Sequence, residues 1–238
     1  GIGFGFLALV ISYLPVLSQS FSRREVNISL LDARAGSPPT AAEMLHRHSH
    51  DRGLEALREL LSEWEIWSAE LLESHLSYPV LAYFRSQHDN QSWLGALTAI
   101  LDTCALIMTG LEGACERQAE LTFAIARHAV VDLAIIFRQP PCEPENDRLP
   151  LTQLGYLRAT LAESGLRLRE GSGAEQKLIE LRQMYEPYVY SLSNYFGVAI
   201  PPWIPETSLT DNWQTSAWGT SSGLQKADLP KAVKAKHF

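Results

Sequence analysis

The chain has 238 residues, 46% hydrophobic and 20% charged, enough for one or two domains with a sizeable core. Its net charge of −7 argues against nucleic acid as a partner, since phosphate binding needs a concentrated basic patch. Cys104, Cys115 and Cys142 follow no metal-ligand spacing, and an odd count without a secretory signal points to a reducing compartment.

The opening segment, "GIGFGFLALVISYLPVLSQSFS", carries no charge before Arg23. As a helix rising about 1.5 Å per residue it covers most of a hydrocarbon core about 30 Å thick. A secretory signal places positive charge ahead of its apolar stretch, whereas here "SRRE" follows it. Residues 1–22 therefore read as the end of a transmembrane helix, with Arg23 and Arg24 as juxtamembrane anchors. That places the chain in the cell membrane, in contact with lipid, and everything after about residue 22 in the cytoplasm. The soluble alternative is a buried helix or strand. Beginning at Gly1 inside an apolar run, the sequence reads as a fragment.

Gly1, Gly5, Ala8 and Ser12 recur at helical spacing, which lets membrane helices approach closely. Pro15 removes a backbone donor and kinks the helix. Gly5, Ser12, Pro15 and Val16 are thus hinge and gate candidates for a pore-lining helix, although membrane helices commonly tolerate such residues. The "GIGFGF" start looks like the backbone-lined filter of a potassium channel. It lacks a Thr before the first glycine, Phe6 stands at the acidic position, and too few residues precede Arg23 for an outer mouth and an inner helix.

The runs "GFGFLALVISYLPVLSQSFSRREVNISLLDARAGSPPTA" and "ESHLSYPVLAYFRSQHDNQSWLGALTAILDTCALIM" resemble bacterial two-transmembrane potassium-channel-like proteins, over roughly residues 3 to 200. The resemblance implies a tetrameric cation pore, with potassium as the transported ion and a helical cytoplasmic region. The first helix, pore helix and filter of such a protein do not lie in this chain.

Residues 23–39 read as a juxtamembrane linker, in which "VNISLLDARAG" alternates loosely enough for a short strand or extended segment. Residues 40–200 read as a bundle. "GSPPTAAEML" is a helix start with Thr40 as N-cap and Glu43 as its capping-box partner. His46 and His50, four apart near the end of that helix, are weak metal candidates, set against a solvated, mildly pH-sensitive helix end. Leu54, Leu57, Leu61, Trp64, Ser68, Leu71 and His75 then follow 3-4 spacing up to Pro79.

Ser92 caps a further helix with Leu97, Ile100, Leu101, Cys104, Met108 and Leu111 on its buried side. The next helix, "ERQAELTFAIARHAVVDLAIIF", is apolar nearly all round and is expected at the centre. His128 and Asp132 lie one turn apart on it. They form either a buried structural pair or, with His75 and His88, a proton- or metal-sensing cluster. A helix from Leu151 or Thr152 and a last one kinked at Pro187 and ended by Gly197 complete the bundle. Residues 201–238, rich in Ser, Thr, Pro and Gly, read as a disordered tail whose Lys226, Lys231, Lys234 and Lys236 could brush anionic lipid.

The expectation is an all-α chain: one partial transmembrane helix, a cytoplasmic helical bundle and a tail. No Walker loop, GxSxG, HExxH or paired-Cys site is present, so the chain reads as a non-enzyme without a cofactor. Function is expected to be gating or assembly of a potassium-channel-like homo-oligomer. The alternatives are a bundle serving assembly or partner binding alone, and a helical metal protein using His75, His88, His128 and Asp132.

Overall fold

In the computed structural model, the described residues are 2–50, 52–87, 90–111 and 115–205, with side chains described from Ile11 onward. Among them the protein is all-helical. Helices α1 (Ile2–Ala35), α2 (Ala41–Arg47), α3 (Gly53–Ser77), α4 (Trp93–Gly110), α5 (Glu116–Ile136), α6 (Leu151–Glu163), α7 (Ser172–Gln183) and α8 (Glu186–Phe196) follow in order. A 3₁₀ turn, Pro79–Tyr83, lies between α3 and α4.

The expected linker is helical: α1 runs unbroken from the apolar segment to Ala35. Leu17, Arg24, Ile28, Leu31 and Ala35 face inward at 3-4 spacing. Val26 and Leu30 on the other side are exposed, and these are the residues that mimic a strand's alternation. The bundle therefore takes hold of α1 at Leu17, ahead of the first charge at Arg23, and the boundary expected after residue 22 moves up the helix. Contacts Tyr13–Tyr78, Arg23–Glu70 and Arg34–Glu63 show that α3 runs antiparallel to α1.

The caps fall where the sequence places them. Thr40 accepts from the Glu43 amide at 3.2 Å and Ser92 from the Gly95 amide at 2.9 Å. Glu43 does not complete a capping box, because its carboxylate accepts from Arg47 Nε at 2.8 Å. Between α2 and α3 the chain turns so tightly that a Cβ at Gly53 would lie 2.1 Å from the His48 carbonyl oxygen.

The centre of the bundle is α4, not α5. It packs against α1, α2, α3, α5, α7 and α8. Among the described residues it is the one helix long and apolar enough to cross a membrane, yet 89% of that span is buried inside the protein. Cys104 is fully buried on it, and burial pushes its thiol far up, as expected of an apolar filler. Helix α5 buries Phe123, Ala126, Val130 and Leu133 but exposes Leu121 and Ile135.

Pro187 divides the last helix instead of bending it. Helix α7 stops at Gln183, and α8 starts at Glu186 with the proline in its first turn, where no amide partner is needed. Gly197 ends α8 in the left-handed region at φ 60°. The chain then packs back on the bundle. Trp203 is fully buried, and its carbonyl accepts from the Ala42 amide at 3.1 Å. The expected tail thus does not begin at residue 201. Residues 206–238, with the four lysines, lie outside the described residues.

Candidate functional site at the α1–α3 seam

Arg24 occupies a core position on α1, with 5% of its surface exposed. The 3₁₀ turn after α3 is what makes this tolerable, because it aims carbonyls inward. Arg24 Nη1 donates to the Leu81 carbonyl at 2.9 Å and Nη2 to the Phe84 carbonyl at 2.6 Å, while Nε meets Glu25 at 3.0 Å. Its own carbonyl accepts from Trp67 Nε1 at 3.1 Å. Burial lowers the guanidinium's pKa, an effect opposed by Glu25. Read from the sequence as a membrane anchor, Arg24 is instead the clamp that joins α1 to the end of α3. Arg23 is exposed and lies 3.6 Å from Glu70.

His75 completes the seam. Nδ1 donates to the Leu71 carbonyl at 2.7 Å, so Nε2 keeps its lone pair and faces Arg24 Nη1 at 3.4 Å. The ring also lies 5.6 Å from the indole of Trp93. Burial, then the positive charge of Arg24, push the His75 pKa down to about 4. It is the hydrogen-bonded core histidine that its place on the α3 stripe suggests.

A cavity of about 330 Å³ opens beside this clamp. Val16, Gln19, Ser20 and Arg23 of α1 form one wall; Glu70, Glu73, Ser74 and Ser77 of α3 form the other, over Trp67 and Leu71. Above it α1 leaves the bundle. Ile11 is 63% and Leu14 57% exposed, and Ser12, Pro15 and Val16 are exposed with them. Pro15 therefore sits within α1 two residues before Leu17, its first buried side chain among the described residues. Gly5 is helical, but the surroundings of residues 2–10 lie outside the described residues.

The other candidates do not converge. His128 and Asp132 pair on α5 at 3.5 Å, but at the surface, with His128 57% exposed, not in the expected buried position. Neither contacts His75, whose polar partners are Arg24, Leu71 and Ser74. His88 lies outside the described residues. His46 reaches Ser164 at 2.6 Å. His50 lies beyond the end of α2 at Arg47, so the two share no helix face. No group of three or more His, Cys, Asp or Glu suited to a metal occurs among the described residues.

Sequence reading missed a buried ionic network beneath the C-terminal strap. Arg148 holds Asp102 through both terminal nitrogens, at 2.6 and 3.3 Å, and donates to Glu186 at 2.9 Å and to the Pro201 carbonyl at 2.7 Å. Arg182 pairs with Asp147 and, at 3.1 Å, with Glu186. Tyr185 donates to Asp102, and both guanidiniums lie 5.6 Å from the Trp203 ring. Burial opposes charge on Arg148, but Asp102 beside it wins and holds its pKa above the ordinary value. Burial and then Asp102 raise the Tyr185 hydroxyl well above its usual range. Asp102, a lone acid on an apolar helix, was the available signal, since a carboxylate there must find a partner.

A scan of protein-family models and searches of curated proteins and of solved structures each return no match to this chain.

Proposed function

We propose that the chain is a membrane-attached coupling module, in which α1 continues from lipid into a cytoplasmic bundle as one unbroken helix. The observation that carries this is the change of environment along a single helix. Exposed Ile11 and Leu14 belong to an uncharged apolar run, while Leu17, about one turn after Leu14, and Arg24, about two turns further on, are buried in the bundle. Leu76, Val80, Tyr83 and Phe84, at the same end, are also exposed, in keeping with an aromatic and apolar belt at a bilayer interface.

On the resemblance to potassium-channel-like proteins, α1 is the cytoplasmic half of a pore-lining helix in a homotetramer, with potassium as the permeating ion. The Arg24 clamp passes motion of α3 directly to α1, and Pro15, just above the buried Leu17, is where the helix bends. Ser12 and Val16 then line the gate, with Gly5 as a second flexure point.

Vesicle flotation followed by an alkaline carbonate wash tests the membrane assignment. The full chain is expected to float and resist the wash, and Ile11→Lys/Leu14→Lys to release it, at about 2.5 kcal/mol or more per buried Lys. A freely soluble, monomeric wild-type chain overturns the reading.

A further inference from the structure

We propose that the cavity between α1 and α3 binds the headgroup of an ethanolamine phospholipid. This rests on the membrane placement of α1. The cavity's two walls carry opposite charge: Arg23 on α1 faces Glu70 and Glu73 on α3, with Ser74 and Ser77 completing the α3 stripe. Arg23 and Glu70 face each other at 3.6 Å as a loose, solvent-exposed pair, which contributes little to stability and opens at small cost when a headgroup takes both partners.

A zwitterion satisfies both walls at once. Its phosphate accepts from Arg23, and its primary ammonium donates to the Glu70 and Glu73 carboxylates. An anionic headgroup without an amine leaves the two carboxylates repelled. A choline headgroup has no N–H to donate to Glu70 and Glu73. About 330 Å³ is at the small end of ligand pockets and suits a headgroup whose tails remain outside. The level is right as well: the cavity begins at Val16, where α1 passes from exposed apolar residues into the bundle, and exposed Leu76 and Val80 flank Ser77 and Tyr78.

The test uses the full chain in vesicles holding equal parts of ethanolamine, choline and glycerol phospholipids with identical tails, and native mass spectrometry of the lipid it retains. Ethanolamine lipid is expected to be enriched about tenfold, the effect of one added charge-assisted hydrogen bond. Glu73→Gln and Arg23→Gln are expected to abolish the enrichment. Glu59→Gln, an equal charge change on an exposed part of α3 outside the cavity, is expected to keep it.

Flotation separates this site from the membrane placement. A chain that floats but shows no enrichment, or keeps it in Glu73→Gln, overturns the headgroup site alone. A chain that neither floats nor retains lipid overturns both. Equal binding of free phosphoethanolamine and of the lipid, read by competition in the same experiment, reassigns the cavity to a soluble amine-phosphate and overturns the lipid assignment.

Discussion

Arg24 Nη1 and His75 Nε2 meet at 3.4 Å across the α1–α3 seam, a cation donating to a neutral ring inside the protein. The contact holds only while His75 is uncharged. A proton on Nε2 would set two cations against each other and cancel the acceptor.

This makes the seam acid-sensitive. An unfolded histidine titrates near 6.5, while burial and the charge of Arg24 push His75 down to about 4 in the folded state. Between those values the unfolded state binds more protons, so stability is complete above pH 6.5 and falls as pH drops towards 4. The difference corresponds to about 3 kcal/mol at most. Urea midpoints measured at pH 7.5, 6 and 4.5 should decline, and His75→Gln should flatten the decline. An equal slope in the variant would show that other groups govern it.

Arg24→Met removes the donors to the Leu81 and Phe84 carbonyls while keeping the apolar stem. Two charged hydrogen bonds at about 1.5–3 kcal/mol each set an expected loss of about 3 kcal/mol after partial recovery by packing. Amide hydrogen exchange should quicken first around Leu81 and Phe84 and along α1 from Leu17. Uniform destabilisation with no local acceleration would argue against a clamp.

In the second network, Arg148→Met leaves Asp102 buried without a cation, while Glu186 keeps Arg182. Breaking one partner of a buried pair typically costs about 3–5 kcal/mol. Replacing Asp102 as well, as Arg148→Met/Asp102→Leu, should recover part of the loss, because desolvating the carboxylate is then no longer required. Denaturant midpoints for the two variants decide the matter. Trp203→Ala should expose the same network and release the 198–205 strap to proteolysis.

His128→Ala should change stability by less than about 0.5 kcal/mol, since its contact with Asp132 is a half-exposed pair on one helix. Thermal melts with and without added zinc should coincide for both chains. A zinc-dependent stabilisation lost in the variant would restore the sensing reading.

The helical character, the α3 stripe ending in His75, the caps at Thr40 and Ser92 and the close of α8 at Gly197 were all readable along the chain. Each follows from local rules: residue spacing, side-chain acceptors and backbone freedom. The lower half of α1 was not. Val26, Ile28 and Leu30 alternate as a strand would, and Arg24 interrupts an otherwise apolar stripe. Only the folded chain shows that the 3₁₀ turn supplies carbonyls to that arginine. The rank of α4 over α5 as the central helix, and the surface position of His128 and Asp132, likewise depend on which faces other helices cover.

The amino-acid pattern by itself determined an all-helical chain with an uncharged, oily beginning, because periodicity and charge are written in one dimension. Tertiary structure decided where the charges went. Asp102, Arg148 and the Arg182–Glu186 pair come from distant parts of the chain, and no local spacing records that burial forces the three together. A buried ion is stable only with its counter-ion beside it, and which counter-ion that is depends on the packing of the whole bundle.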